Sequence, residues 1–360
     1  MRIKKALFLG TLCTAVSGMS LFAQAGVSYA KSAKETTEAS SEEATEVETE
    51  EETSEEVTYP ITIEHAFGET VIESKPERIA TVGWGNQDTP LALGIAPVGV
   101  SAANYGLVTD HKLHLWTDEA FADLGVEEPV VFDDVDGLDF EQISDCNPDV
   151  ILAAYSGMTQ EDYDTLSQIA PVIPYKENPW QTTWREQTIE NAEGMGMKPE
   201  GEKKVKEVED LIAEKLEEYP ELEGIPTAFC WISADDFSTF YVYLPTDPRA
   251  AYLLDLGFTL PESVQKLAGE SNDFSITVSR ENADQLDDIE MMVVYGDENL
   301  VETLQEDKLM SQIPAIKNGA VVVLDSTSAL AASSTPSILS IPYEIDEYLE
   351  MFAKAAENIK

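Results

Sequence analysis

The stretch DFEQISDCNPDVILAAY (residues 139–155) carries the strongest indication of the fold in this sequence. Its first half reads as a helix, Asn147-Pro148 reads as a turn, and the apolar run that follows reads as a buried strand ending at Tyr155. A helix that leads into a buried strand is part of a βαβ arrangement. Such arrangements build parallel sheets that are covered by helices on both faces.

A second stretch repeats this arrangement. VSRENADQLDDIEMMVVY (residues 278–295) again reads as a helix followed by an apolar strand. A glutamate near the helix start and a tyrosine at the strand end are 14 residues apart in both stretches, as Glu141 and Tyr155 and as Glu281 and Tyr295. The two pairs are offset by 140 residues. The repeat predicts two similar lobes with a helical region between them.

Strand-like and helix-like segments alternate over the rest of the chain from Tyr59 onward. ITIEHAFGETVI (residues 61–72) reads as a hairpin with its turn near Gly68-Glu69. The predicted fold class is therefore α/β, with two parallel-sheet lobes.

The chain is strongly acidic. It has 22 Lys and Arg against 69 Asp and Glu, a formal net charge of −47, and residues 58–360 alone hold 17 basic and 58 acidic residues. Phosphate groups are bound by clustered Lys and Arg, so we expect no nucleic-acid partner and no direct lipid binding. A highly soluble surface explains the acidity more simply than a functional role does.

The N-terminal residues read as an export signal. A positive start at residues 2–5 precedes an apolar stretch at 6–22, and small-residue cleavage motifs end at Ala25 and Ala30. The residues before Cys13 form a poor lipobox, so lipidation is the lesser alternative. We expect an exported protein at the extracellular face of the cell membrane.

Residues 31–57 are rich in Glu, Ser and Thr and contain almost no large apolar side chains. Such a segment buries too little surface to offset its ordering entropy, which predicts an acidic disordered linker.

Patterns typical of enzymes and metal sites are scarce. The sequence has three histidines, His65, His111 and His114, but no G-x-S-x-G elbow and no Walker A loop. A helix through His111 and His114 would place both on one face, and a zinc or manganese site there is the lesser alternative. We expect no enzymatic activity, no metal site and no intrinsic cofactor. Cys146 and Cys230 fall in different lobes, so we expect no disulfide.

Aromatic residues follow the predicted strands at their carboxyl ends or lie between the two halves. Ligands of open α/β sheets bind beyond these strand ends, so we expect a cleft for a large, partly apolar ligand. The alternative for each single residue is a place in the core. The predicted cleft residues are Trp84, Tyr105, Tyr155, Trp180, Trp184, Trp231 and Tyr295.

Arginine is scarce, which makes its positions informative. Arg249 stands at the start of a predicted helix, where the helix dipole disfavours a cation, and this placement indicates a function. Its guanidinium would bind the negative oxygens of a ligand. Arg185 and Arg280 are weaker candidates, and Arg78 reads as a surface pair partner.

The run KPERIATVGWGNQDTPLALGIAPVGV (residues 75–100) resembles the opening of iron-siderophore substrate-binding proteins of ABC importers. This group also contains cobalamin and haem binders. The stretches at 139–155 and 278–295 fit the same family in the same order, as do PRAAYLLDLGFTLPESV (248–264) and IPAIKNGAVVVLDS (313–326).

The resemblance implies two lobes joined by a single rigid helix, with the ligand in the cleft between them. That helix resembles WREQTIENAEGMGM. The predicted layout is a signal peptide (1–30), an acidic disordered linker (31–57), an N-terminal ligand-binding lobe (58–180), a bridging helix (181–198) and a C-terminal ligand-binding lobe (199–360).

The resemblance also implies one exposed glutamate per lobe that docks onto the permease, here Glu141 and Glu281. The function it implies is capture of an Fe(III)-siderophore and delivery to the importer, by a monomer. Haem or cobalamin as the ligand is one alternative. A secreted acidic surface or interaction protein without a transport role is the alternative from another class.

Overall fold

A computed structural model describes residues 57–134, 137–233, 236–297 and 299–359. The predicted signal peptide and almost all of the predicted acidic linker lie outside these residues. Within the described ranges, no helix combines the length and the apolar character that a membrane span needs.

An antiparallel hairpin begins the described chain, formed by β1 (Ile61–His65) and β2 (Gly68–Ile72). His65 pairs with Gly68, which leaves Ala66 and Phe67 as the turn. The predicted hairpin is confirmed, and its turn lies just before the predicted position.

The first sheet is fully parallel, because each strand is followed by a helix that returns the chain to the same edge. In chain order the elements are β3 (Ile79–Thr81), α1 (Asp88–Ala92), β4 (Gly99–Ser101), α2 (Leu115–Asp123), β5 (Val131–Phe132), α3 (Phe140–Asp145), β6 (Val150–Ala153), α4 (Gln160–Leu166) and β7 (Val172–Pro174). The strand order is β5-β4-β3-β6-β7.

Two helices connect this sheet to the next, α5 (Trp184–Gly194) and α6 (Lys198–Leu216). Gly194 approaches the first sheet so closely that a Cβ there would lie 2.5 Å from an isoleucine of β7. Val208 on α6 packs instead into the core of the second lobe. The link between the lobes therefore involves both helices, and the bridging helix at 181–198 stays a prediction.

The second sheet combines parallel and antiparallel strands. Its elements are β8 (Thr227–Trp231), β9 (Thr239–Tyr243), α7 (Pro248–Asp255), α8 (Glu262–Ala268), β10 (Ser275–Ser279), β11 (Met291–Tyr295), α9 (Leu300–Glu306), α10 (Pro314–Asn318), β12 (Val321–Leu324), α11 (Ala329–Ser333) and α12 (Ser340–Ala356), with 3₁₀ turns at Pro220–Leu222, Arg280–Gln285 and Met310–Gln312. The order is β10-β9-β8-β11-β12, in which β8, β11 and β12 are parallel. β9 is antiparallel to both of its neighbours.

The repeat seen in the sequence occupies the same place in both sheets. β6 and β11 are each the fourth strand in the sheet order, and every residue of both strands is buried. Tyr155 lies two residues beyond β6, and Tyr295 is the last residue of β11. Two parallel-sheet α/β lobes are confirmed, with an antiparallel edge on the second sheet that the alternation did not indicate.

The segment that follows β12 returns to the first lobe. The backbone N–H of Leu107 donates to the carbonyl of Ser328 at 3.2 Å. The Ser337 hydroxyl donates to the buried carboxylate of Asp88, which also accepts a hydrogen bond from Trp116 Nε1 at 2.9 Å. These bonds join the lobes at a second place, apart from α5 and α6.

Candidate functional site

A cleft lies where the carboxyl ends of the strands of the two sheets face each other. A cavity of about 330 Å³ is lined by residues of the first lobe. A neighbouring cavity of about 210 Å³ is lined by residues of both lobes, and Trp84 lines both cavities. These cavities and a third, adjoining one bring together seven of the predicted ligand-binding residues, Trp84, Tyr105, Tyr155, Trp180, Trp231, Arg249 and Tyr295.

The loop after β3 holds Trp84 through backbone contacts. Gly83 has φ +84°, and a Cβ there would lie 2.6 Å from the carbonyl oxygen of Tyr155, so this position favours glycine. The fully buried Asn86 donates to that same carbonyl at 3.0 Å and accepts from the N–H of Tyr155 at 3.1 Å. Gln187 Nε2 donates to the carbonyl of Trp84 at 2.7 Å. The loops after β3 and β6 are thus fixed to each other and to α5.

Trp84, Tyr155 and Trp180 form an aromatic group on this side of the cleft. The ring centroids of Trp84 and Trp180 are 5.7 Å apart, and those of Tyr155 and Trp180 are 5.3 Å apart, both with edge-to-face geometry. Trp180 has φ +61° and lies directly over Gly157, where a Cβ would be 2.5 Å from its indole nitrogen. Trp84 and Trp180 are half-buried and offer apolar surface to a ligand, whereas Tyr155 is only 4% exposed.

Tyrosines from the two lobes meet across the cleft. The rings of Tyr105 and Tyr295 are edge to face at 5.5 Å, and the Tyr295 hydroxyl lies 2.7 Å from the hydroxyl of Ser334. Burial raises the pKa of Tyr295, whereas the nearby Arg249 opposes this change. Trp231 is 41% exposed at the end of β8, so its indole is open to the cleft.

Arg249 is held by the aspartate that caps its helix. Asp247 Oδ1 accepts from the backbone N–H of Arg249 at 2.9 Å and from its Nε at 2.8 Å, and Asp247 Oδ2 accepts from Nη2 at 2.6 Å. The guanidinium carbon lies 4.0 Å from the ring centre of Tyr243. Burial disfavours the charged guanidinium, but Asp247 outweighs burial and raises the pKa of Arg249 well above its usual value.

The structure does not bring Trp184 to the cleft, which corrects the assignment made from sequence. Its side chain is 2% exposed and packs in the core of the second lobe. Its Nε1 donates to Asp255 Oδ2 at 2.9 Å. Trp184 is the first residue of α5, and the capping box of Thr183 and Glu186 fixes the helix start so that the indole points inward.

The other arginines also have protein partners. Arg185 donates to Glu209 and to Asp255, each at 2.6 Å, and Arg280 Nη1 lies 3.2 Å from Asp307 Oδ2. Arg78 Nε donates to the carbonyl of Asn147 at 2.8 Å, where a surface ion pair was predicted.

Four residues of the site were missed from the sequence: Asn86, Gln187, Tyr243 and Asp247. Tyr243 ends a strand, as the predicted aromatic residues do, so the strand-end argument could have predicted it as well. Asp247 precedes Pro248 at a helix start, which is a capping signal. Asn86 and Gln187 act through contacts distant in sequence, and no local signal indicates them.

Glu141 and Glu281 occupy matching positions in the two lobes. Each is exposed, and each lies in the first turn of a short helix that precedes the fourth strand of its sheet. Asp139 caps the first helix and Ser279 caps the second.

The histidines do not form a shared helical face. His111 precedes α2 and its Nδ1 lies 2.7 Å from Asp118, while His114 is the N-cap residue of that helix. Among the described residues there is no group of His, Cys, Asp or Glu that could hold a metal ion. Cys146 and Cys230 are both free in the described part of the chain, and they belong to different lobes.

Known proteins resemble this chain over most of its length. The family model for periplasmic binding proteins matches residues 79–327. The chain is similar to PiaA of Streptococcus pneumoniae TIGR4, an iron-uptake ABC transporter substrate-binding protein whose crystal structure holds ferrichrome. The identity is 47% and the TM-score 0.80, covering 83% of this chain and 100% of that chain.

Two further proteins resemble this chain at lower sequence identity. The chain is 25% identical over 306 residues to the petrobactin-binding protein YclQ of Bacillus subtilis (strain 168), covering 81% of this chain and 88% of YclQ. Staphylococcus aureus SirA, solved with staphyloferrin B, shares the fold with 22% identity and a TM-score of 0.62, covering 83% of this chain and 99% of that chain.

Proposed function

Because the chain belongs to the periplasmic binding protein family, a family of substrate-binding proteins rather than enzymes, we propose that it captures a ferric siderophore outside the cell membrane and delivers it to the permease of an ABC importer. The observation that carries this proposal is the cleft, where aromatic residues of both lobes surround one arginine. The similarity to ferrichrome-bound PiaA supports iron chelates as the ligand class.

Capture involves no chemistry, since the Fe(III) arrives already chelated and the protein supplies no iron ligand. Trp84 and Trp180 pack against the body of the siderophore, and Arg249 donates hydrogen bonds to its oxygens. The other proposed contacts are Tyr105, Tyr155, Trp231 and Tyr295.

A fluorescence titration tests the proposed ligand class. Tryptophan emission of the purified protein is followed against ferrichrome, ferric citrate, a ferric tris-catecholate, haem, cobalamin and free metal ions. We expect saturable quenching by at least one ferric chelate, because Trp84, Trp180 and Trp231 lie at the cavities. Saturable quenching by haem or cobalamin alone would mean that the ligand is one of these and not a ferric siderophore. The absence of saturable quenching by every ferric chelate would contradict the proposal.

Docking to the permease involves Glu141 and Glu281. Both are exposed and form no ion pair within the described part of the chain, so each carboxylate is available to a partner's arginine. We propose that the protein works as a monomer at the extracellular face, presenting one such glutamate from each lobe.

A paired substitution tests docking separately from capture. Glu141→Ala combined with Glu281→Ala is expected to abolish iron uptake by cells while ligand affinity of the purified protein is retained. The matched control is Glu161→Ala with Glu302→Ala, since these are also exposed first-turn glutamates, one in each lobe. Normal uptake by the first variant, with ligand binding unchanged, would show that the docking residues are assigned incorrectly.

A further inference from the structure

The charged side chains that line the cleft are mostly acidic. Among the described residues that line its cavities, Asp134 and Asp162 have partly exposed carboxyl groups, Asp88 has a buried one, and Arg249 is the one permanent cation. Burial raises the pKa of both Asp88 and Asp134. His114 also lines the cleft, but burial lowers its pKa, so its imidazole is neutral at pH 7. Arg249 is therefore the one lasting positive charge among the side chains that line these cavities.

That positive charge is already compensated within the protein. Asp247 has no exposed side-chain surface, and its carboxylate accepts from both Nε and Nη2 of Arg249. This fork-to-fork pairing occupies one edge of the guanidinium and brings opposite charges within 2.6 Å. Arg249 also lines the cavity, and its remaining N–H donors, which include a partner for the Tyr295 hydroxyl, carry no uncompensated charge.

The tyrosine ring beneath the guanidinium adds to this compensation. The negative face of Tyr243 lies against the cation, with the guanidinium carbon 4.0 Å from the ring centre. A multiply anionic chelate entering this cleft would lose its hydration and would meet carboxyl groups but no uncompensated cation among the lining side chains. An uncharged chelate would lose little and would still receive the hydrogen bonds.

We infer that the cleft selects ferric chelates with no net negative charge, such as an Fe(III) tris-hydroxamate, and this inference rests on the proposed function. Asp247 sets this selectivity by neutralising Arg249. Asp247 is a specificity-determining residue that acts through Arg249 and also caps α7.

The test compares three probes of different charge on the same protein by calorimetry. Ferrichrome is uncharged, ferrioxamine B carries an ammonium group, and a ferric tris-catecholate is a multiple anion. We expect the wild type to bind ferrichrome and ferrioxamine B, and to bind the tris-catecholate at least about a hundredfold more weakly.

Asp247→Asn removes the compensating charge and keeps a side-chain oxygen for the helix cap. The ratio of tris-catecholate to ferrichrome affinity should then rise about tenfold or more, which corresponds to about 1.4 kcal/mol. Asp247→Ser, which also suits an N-cap, is the second variant in case the first does not fold. The matched control is Asp307→Asn, because Asp307 also pairs with an arginine and accepts backbone N–H groups, and neither partner is among the residues that line the described cavities.

The outcomes separate the inference from the proposed function. If no ferric chelate binds, the proposed function fails. If the wild type binds the tris-catecholate as tightly as ferrichrome, the function stands and charge selection is overturned. If the affinity ratio is the same in folded Asp247→Asn or Asp247→Ser as in the wild type, or moves equally in Asp307→Asn, the role of Asp247 is overturned.

Discussion

The two lobes build the walls of the cleft by different physical means. Trp84, Tyr155 and Trp180 form an aromatic wall in the first lobe, which is held by backbone geometry and by the amides of Asn86 and Gln187. The second lobe contributes an ion-pair wall of Tyr243, Asp247 and Arg249, which depends on one buried charge pair.

The contrast between the two walls leads to a prediction of how affinity and selectivity are divided between the lobes. Aromatic faces attract most partly apolar ligands of suitable shape, so the aromatic wall supplies contact area. A charge pair responds to the sign and position of the charges on a ligand, so the role that we infer for the ion-pair wall is to discriminate between ligands. The effects of substitutions in the two walls on stability and ligand binding should therefore differ in kind as well as in size.

The largest expected effect comes from breaking the ion-pair wall. Arg249→Ala leaves the carboxylate of Asp247 buried without its cation, and we expect the free energy of unfolding to fall by about 3–5 kcal/mol. Urea denaturation measures this loss. Arg249→Ala combined with Asp247→Ala should lose less than Arg249→Ala alone, because no charge then remains buried.

The matched control is the Arg280–Asp307 pair, which is more exposed. Arg280→Ala should lower the free energy of unfolding by only about 0–1 kcal/mol. Equal losses for Arg249→Ala and Arg280→Ala would mean that burial does not distinguish the two pairs.

A substitution at the backbone turn of Gly83 should disrupt the aromatic wall. Gly83→Ala places a Cβ about 2.6 Å from the carbonyl of Tyr155 at a positive φ, and we expect a loss of about 2–3 kcal/mol in stability together with weaker ligand binding. Gly94→Ala is the control, because Gly94 has φ +78° with no atom within 4 Å of the added Cβ. It should lose only about 1 kcal/mol and bind normally, as measured by denaturation and by titration. Similar losses for both variants would show that the close contact at Gly83 is unimportant.

The smallest effect concerns Asp88, which joins the first lobe to the segment that follows β12. Burial raises the pKa of Asp88 to about 6 from 3.8, against the hydrogen bonds of Ser337, Thr117 and Trp116. The folded state therefore binds a proton more readily than the unfolded chain, so this group makes the free energy of unfolding fall as pH rises from about 4 to about 6.

Asp88→Asn removes this dependence. As the pH rises from 4.5 to 7, the wild type should lose about 2 kcal/mol more of its free energy of unfolding than Asp88→Asn loses. Denaturation at both pH values measures the difference, and the exposed Asp145→Asn serves as the control. Parallel pH profiles for wild type and Asp88→Asn would contradict this account of Asp88.

The fold was largely predictable because its signal is local. The helix and strand of residues 139–155 and their counterpart at 278–295 indicated both lobes, and the strand ends placed Trp84, Tyr155 and Tyr295 at the cleft. The antiparallel edge of the second sheet was not predicted, since alternating segments do not reveal the direction of a strand.

The site was less predictable because the orientation of its side chains depends on tertiary contacts. Trp180 and Trp184 are close in sequence, yet Trp180 lies at the cleft with φ +61° and Trp184 enters the core. No periodicity distinguishes these two positions. The partners of Asn86 at Tyr155 and Asn191 are likewise distant along the chain, so only the folded structure reveals them.

The return of the chain to the first lobe after β12 has a consequence for biosynthesis. A ribosome releases the first lobe long before it makes Ser328 and Ser337, which supply an acceptor for Leu107 and a donor for Asp88. The first lobe thus leaves the ribosome with a carboxylate that still lacks one of its hydrogen-bond donors. An unfinished first lobe would favour the export that the proposed function requires, because translocation across a membrane needs a chain that has not yet completed its fold.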